Sequence, residues 1–139
     1  MPNKPDKLVI DTNLWISFLI SNSFNKLDRL IETNKIILVF SDELLTEFIE
    51  VTSRPKLRKY FSTTDVTHLL NAIHAHAKFI HVKSKASACA DPKDNFLLSL
   101  CEDSKADYLL TGDEALLTLQ KYKRTSILKL AEYLKTRRD

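Results

Sequence analysis

The chain has 139 residues, 44% of them hydrophobic and 28% charged, with a net charge of +3. That length suits one domain over 1–139, and the composition is that of an ordinary globular protein without an internal repeat or low-complexity tract. One glycine and four prolines leave little material for long loops. The two cysteines are too few for a disulfide framework, so two buried thiols in a reducing cytoplasm are expected.

Lys7 to Ile10 reads as a short strand, buried on both faces because it is apolar without alternation. Leu14 to Ile20 is an apolar helix. Asn25 to Glu32 is a second helix with Leu27, Leu30 and Ile31 on one face. Ile36 to Phe40 is a β-branched run, the second strand. Ser41 then supplies an N-cap, and Asp42 and Glu43 favour the positive end of a helix dipole. This helix carries Leu44, Leu45, Phe48, Ile49 and Val51 until Pro55 interrupts it, and Lys56 to Phe61 continues as a short helical turn. Ser62 and Asp65 have capping-box spacing and open a helix to about Lys78. Phe79 to Val82 is the expected third strand, and Lys83 to Ala90 a polar connection. Pro92 fits a first helical position, with Asp91 as cap, for a helix to about Ser104. Asp107 to Leu110 is a fourth strand and Glu114 to Leu119 a short helix. Thr125 to Leu128 is a last strand, and Lys129 to Lys135 a final helix. Strands alternating with helices predict a parallel sheet covered on both faces.

Three aspartates stand where apolar runs stop. Leu8-Val9-Ile10 leads into Asp11-Thr12-Asn13, and Tyr108-Leu109-Leu110 into Thr111-Gly112-Asp113. Asp91-Pro92-Lys93-Asp94 opens an apolar helix. Open α/β sheets build their sites at strand ends and helix starts. A carboxylate after an apolar strand is costly without a partner. Asp11 is therefore either an N-cap or a metal ligand, and Asp113 presents the same choice. Gly112 lets backbone or ligand approach closely. Thr111 can donate to a carboxylate or a phosphate, and Asn13 can hold the Asp11 carboxylate or a water. Asp91 is well explained as a cap. Asp94 shares a helix face with Leu97, Leu98 and Cys101 and points inward. Glu47 stands at the edge of its apolar stripe, where a solvent-facing glutamate is the default.

His68, His74, His76 and His81 lack zinc-ligand spacing and are expected on the surface. Arg54, Lys56, Arg58 and Lys59 form a basic cluster, and Lys121 to Asp139 holds seven Lys/Arg against Glu132 and Asp139. Acids at a site with basic patches elsewhere suit an enzyme acting on a polyanion. The N-terminal residues to Lys7 lack a signal-peptide core. No apolar stretch approaches the ~18 residues that span a bilayer. A soluble, cytoplasmic protein without a membrane partner is expected.

Taken in order, these segments resemble the PIN-domain ribonucleases, and most of all the bacterial VapC-like toxins of toxin–antitoxin pairs. The likeness runs from about Lys7 to Leu134. Val9 to Asn13, with Trp15 and Ser17, resembles the opening strand and its first acid. Ser41 to Phe48, followed by Arg54-Pro55-Lys56, resembles the second-acid helix. Asp91 to Asn95 and Leu110 to Asp113 resemble the third and fourth acid segments. The resemblance implies an acidic quartet of Asp11, Glu47, Asp94 and Asp113, with Asp91 as an extra or water-mediated ligand. It implies an α/β/α sandwich around a mainly parallel sheet of four or five strands. It further implies a homodimer neutralised by a cognate antitoxin.

The expected activity is endoribonucleolytic hydrolysis with one or two Mg²⁺ or Mn²⁺ ions, since hard cations take oxygen ligands and activate water. Asn13, Thr111 and Gly112 support the site, and Arg54, Lys56, Arg58 and Lys59 grip the RNA backbone. Two alternatives remain open at this point. One is a phosphatase using Asp11 as nucleophile, although Asn13 stands where that chemistry wants a second acid. The other is a non-catalytic RNA- or partner-binding module of the same fold.

Overall fold

The computed structural model describes residues 4–21 and 25–136, without the side chains of 25–28. The expected apolar position Leu27 and the terminal residues 1–3 and 137–139 therefore lie outside the described residues. The chain begins with strand β1 (Asp6–Ile10), helices α1 (Thr12–Ser21) and α2 (Asn25–Glu32), strand β2 (Ile36–Phe40) and helix α3 (Asp42–Thr52). A 3-10 turn at Pro55–Leu57 leads to helix α4 (Thr63–His76) and strand β3 (Ala77–Phe79). Helix α5 (Pro92–Ser104), strand β4 (Tyr108–Leu110) and helix α6 (Glu114–Leu119) follow. Strands β5 (Lys121–Tyr122) and β6 (Thr125–Leu128) and helix α7 (Leu130–Thr136) complete it.

One mainly parallel sheet runs in the order β3-β2-β1-β4-β6-β5, flanked by the helices as an α/β sandwich. It has six strands rather than four or five, because β5 pairs antiparallel with β6 over only Lys121 and Tyr122. A two-residue strand is too short to show periodicity. Central β1 is inaccessible at Leu8, Val9 and Ile10, as a strand covered on both faces must be. Behind it Trp15 sits between the rings of Phe18, Phe40 and Phe48, at centroid distances of 5.8, 6.0 and 6.5 Å.

Strand β3 lies earlier than expected, at Ala77–Phe79 instead of Phe79 to Val82. Its partner sets its limits. Leu38, Val39 and Phe40 of β2 pair with Ala77, Lys78 and Phe79, and one further bond runs from Ile80 N to the Phe40 carbonyl. Beyond Phe40, Ser41 turns the chain and caps α3 through its side chain, so residues 81 and 82 have no ladder to join. The Ser62–Asp65 capping box at the start of α4 is formed. Of the two thiols, Cys101 is buried but Cys89 only half so, which corrects the expectation of two buried cysteines. The four histidines are exposed, and His74 stacks on Phe79 at 5.8 Å.

The connection before α5 is held along that helix. Asp103 accepts bonds from Lys83 N, Ser84 N and the Ser84 hydroxyl, and Ser99 accepts from Ala86 N. Asn95 closes the series by exchanging two bonds with the Cys89 backbone, at 2.8 and 2.7 Å. Asn95, Ser99 and Asp103 are four residues apart, so they share one helix face and pin the connection turn by turn. That pinning delivers Asp91 to its capping position.

Candidate active site

The chain proceeds outward from β1 to β2 and β3, then returns to lay β4 on the other side of β1. The C-terminal ends of β1 and β4 therefore flank the switch point of the sheet, where open α/β folds hold ligands. The register Ile10 with Leu110 is continued by a bond from Asp11 N to the Leu110 carbonyl, 3.0 Å. Asp11 and Thr111 emerge side by side although 100 residues separate them. The Thr111 hydroxyl donates to Asp11 Oδ2 at 2.8 Å and accepts from Asp113 N at 3.0 Å. One buried hydroxyl thus links the first and last acids.

Asp11, Asp91 and Asp113 also serve as helix caps, so the two readings of these residues are compatible. Asp11 Oδ1 accepts from Asn13 N at 3.2 Å, Asp91 Oδ1 from Lys93 N at 2.9 Å, and Asp113 Oδ1 from Ala115 N at 2.8 Å. Capping occupies one oxygen and fixes the carboxylate; at Asp11 the other oxygen takes the Thr111 bond and keeps a further lone pair for a ligand.

A cavity of about 370 Å³ opens here. Its acidic lining comprises Asp11, Glu43, Glu47, Asp91, Asp94 and Asp113, against Arg54 and Lys93 as cations. Asp11, Glu47, Asp94 and Asp113, which come from four different segments, share it. Asp11 and Asp94 are 9% and 5% exposed. Among the described residues, no Lys, Arg or His pairs with Asp11, Asp94 or Asp113, whereas Glu47 meets Lys93 at 4.0 Å and Arg54 meets Glu50 at 3.8 Å.

The electrostatics follow from this crowding. Burial pushes the Asp11 carboxyl above the usual carboxylate range, and the charges of Asp113 and Glu47 add to it. The bonds from Thr111 and Asn13 pull the other way. Asp94 is pushed up to about 6, first by burial, then by the charge of Asp113, with which it shares a hydrogen bond, and by Asp91 and Asp11. Like charges held together in this way favour a proton or a cation between them.

Asn13 lines the cavity, and its backbone rather than its side chain holds Asp11. Gly112 is exposed, and a Cβ built there would meet nothing within 4 Å. Its φ is not positive either, while Asn34, Lys105, Gln120 and Lys123 fill the left-handed positions. No backbone approach requires glycine at 112. Of the expected basic grip, only Arg54 reaches the cavity. Lys56 and Lys59 are exposed outside it, and Arg58 lines a separate groove with Phe61 and Val66.

Among the lining residues that sequence reasoning did not assign to the site are Thr12, Glu43, Val51, Pro92, Lys93 and Phe96. Glu43 and Glu47 are one turn apart, so helical spacing from an assigned acid would have flagged Glu43, whereas Lys93 and Phe96 stand at no such spacing from Asp91 or Asp94 and had no signal of that kind. Thr12 is 3% exposed and its buried hydroxyl has no hydrogen-bond partner. Such a buried polar atom without a partner is uncommon in a folded protein.

Together these features define an α/β domain with an acidic cleft at its topological switch point. The PIN domain family profile matches residues 7–115, and the chain belongs to that family, whose members are typically nucleases. Comparison with curated proteins gives no significant match.

Proposed function

We propose that this PIN domain is a Mg²⁺- or Mn²⁺-dependent endoribonuclease with Asp11, Glu47, Asp94 and Asp113 as its catalytic and metal-holding acids. One observation carries the proposal: acids from four segments share one cavity, and three of them have no protein cation among the described residues. The donor set fits the metal, because hard divalent ions take carboxylate oxygens. Among the described residues, no three acid, histidine or cysteine side chains already stand at chelating distances. Held by these carboxylates, such an ion would supply Lewis-acid activation of the phosphate and of water.

The chain's own groups have separate tasks. Asp11, held by Thr111 and the Asn13 N–H, presents a fixed carboxylate. Asp94, crowded by the charge of Asp113, would be a carboxylate for which a bound cation offers relief. Glu47 is half-exposed at the cavity wall and accepts or orients the proton of water. Asp91 stands by as an additional oxygen. Six carboxylates against two cations at the cavity repel a bare polyanion, so substrate and ion enter together. Arg54 and Lys93 meet the backbone at the cavity, and Lys56, Arg58 and Lys59 extend the grip along the chain leaving it.

The toxin assignment, with its antitoxin partner and homodimer, rests on the likeness of Ser41 to Lys56 to that subgroup. A cytoplasmic setting belongs to the same proposal. Among the described residues no helix is long and apolar enough to cross a membrane.

Cleavage of a mixed RNA panel with Mg²⁺, Mn²⁺ or excess chelator, by wild type and Asp11→Asn, tests the enzyme. Chelator should abolish cutting, and Asp11→Asn should lose roughly 100-fold or more, the scale of one preorganised electrostatic contact. Independently of activity, Mn²⁺ should raise the wild-type Tm and leave Asp11→Asn nearly unmoved. Full activity in chelator sinks the mechanism. An acid-stable phosphoryl adduct on Asp11 would establish the phosphatase instead. RNA binding without cutting by the wild type would establish the binding module.

A further inference from the structure

The cavity is not acidic throughout. Val51, Pro92 and Phe96 line it beside the carboxylates, over the buried side chains of Leu44 and Leu97. Metal-assisted hydrolysis explains the acids and the cations, but it gives an apolar wall no task. That wall has a definite relation to the charges. Lys93 precedes Phe96 by three residues on α5, and Arg54 follows just past the end of α3 with its N–H bonded to the Val51 carbonyl at 3.2 Å, so each apolar residue has a cation near it in the chain. Phe96 is only half-buried, so part of its ring belongs to the cavity rather than to the core.

We propose that Phe96, with Val51 and Pro92, forms a stacking subsite for one unpaired nucleobase adjacent to the scissile phosphate. The proposal rests on the nuclease reading above and adds the base to it. A nucleotide joins a flat apolar body to an anionic link, and this cavity joins an apolar wall to cations and to acids suited to divalent ions. The volume of about 370 Å³ lies at the small end of ligand sites, which run from roughly 300 to 1,000 Å³. It suits a single nucleotide, and a base inside a duplex has both faces covered by its stacked neighbours and offers none to Phe96. Stacking on one aromatic ring tolerates any base, so the subsite selects unpaired strands rather than a sequence.

The test uses the full chain and a fluorescein-labelled RNA oligomer that it cleaves, with one abasic nucleotide walked through the sequence. Phe96→Leu keeps apolar volume but loses the ring, and Phe96→Tyr keeps the ring. On intact RNA, Phe96→Leu should raise KM about 5- to 30-fold with little change in kcat, and Phe96→Tyr should stay near wild type. At one position beside the cleaved bond, the abasic nucleotide should cost wild type the same factor and cost Phe96→Leu nothing more. A wild-type KM for Phe96→Leu overturns the subsite, as does an abasic penalty equal in both proteins. Should Phe96→Leu fail to fold, the abasic walk on wild type decides, and neutrality at every position overturns the proposal. If wild type neither cuts RNA nor changes its anisotropy with Mg²⁺ or Mn²⁺, the nuclease reading falls and the subsite with it.

Discussion

The two sides of the cavity are built on different principles. On the strand side, Asp11 and Asp113 emerge from paired backbone and are joined through the buried Thr111 hydroxyl at 2.8 and 3.0 Å. On the α3 side, Glu47 on the helix and Arg54 just beyond its end are accessible, with ion pairs of 4.0 and 3.8 Å to Lys93 and Glu50. Buried hydrogen bonds in a low-dielectric surrounding are costly to break, whereas exposed ion pairs contribute about 0–1 kcal/mol. The strand side is therefore preorganised by the fold, and the helix side adapts to whatever enters.

Thr111→Val should break that contrast most severely. It keeps the shape but strips one bond from Asp11 and leaves the Asp113 N–H unpaired. A loss of about 1–3 kcal/mol in unfolding free energy is expected, together with at least a tenfold loss of cleavage. Denaturant unfolding and a cleavage assay read the two effects. Unchanged stability would mean that the strand side is no more rigid than the helix side.

Asp94→Asn comes next, and its effect depends on pH. The folded-state value of Asp94 is raised to about 6, from 3.8. The native state therefore holds a proton that the unfolded chain releases, and it is favoured at low pH. This contribution is complete below about pH 4 and is lost as pH rises through about 6. In chelator, the amide variant should match wild type near pH 4 and exceed it by roughly 1–3 kcal/mol at pH 7.5. With Mn²⁺ the order should reverse, because the variant has lost an anionic donor. Parallel Tm curves across pH 4 to 8 would remove Asp94 from the crowded pair.

The smallest effects belong to the cations. Arg54→Ala and Lys93→Ala should each raise KM about 3- to 10-fold at low salt, fading as salt rises, with stability within about 0.5 kcal/mol of wild type. Lys56→Ala and Lys59→Ala, outside the cavity, should shift KM about twofold. Equal effects from all four would show that the exposed side is one diffuse basic surface rather than a wall with two defined contacts.

The strong strands and helices were legible because their signals are local. Ser41, Ser62 and Asp91 mark helix starts, and the apolar runs of β1 and β2 lie where expected. What escaped depends on partners elsewhere in the chain. The position of β3 follows from where β2 ends, and β5 follows from β6. The Lys123 turn between β5 and β6, with φ of 55°, carries no glycine or asparagine to announce it. The pinning of residues 83–89 by Asn95, Ser99 and Asp103 joins side chains to distant backbone. Phe96 fits the apolar pattern of a core helix, and its place on the cavity wall follows from where α3 packs.

By itself the sequence determined the alternating α/β plan, the helix caps and the placing of aspartates after apolar strands, since periodicity and capping act over a few residues. Only the tertiary structure decided that Asp11, Glu47, Asp94 and Asp113 share one cavity, that Arg54 joins them while Lys56 and Lys59 do not, and that Asp94 is pushed up to about 6. The reason is that charge crowding and burial depend on distances between segments as much as 100 residues apart, and those distances are set by sheet order and register.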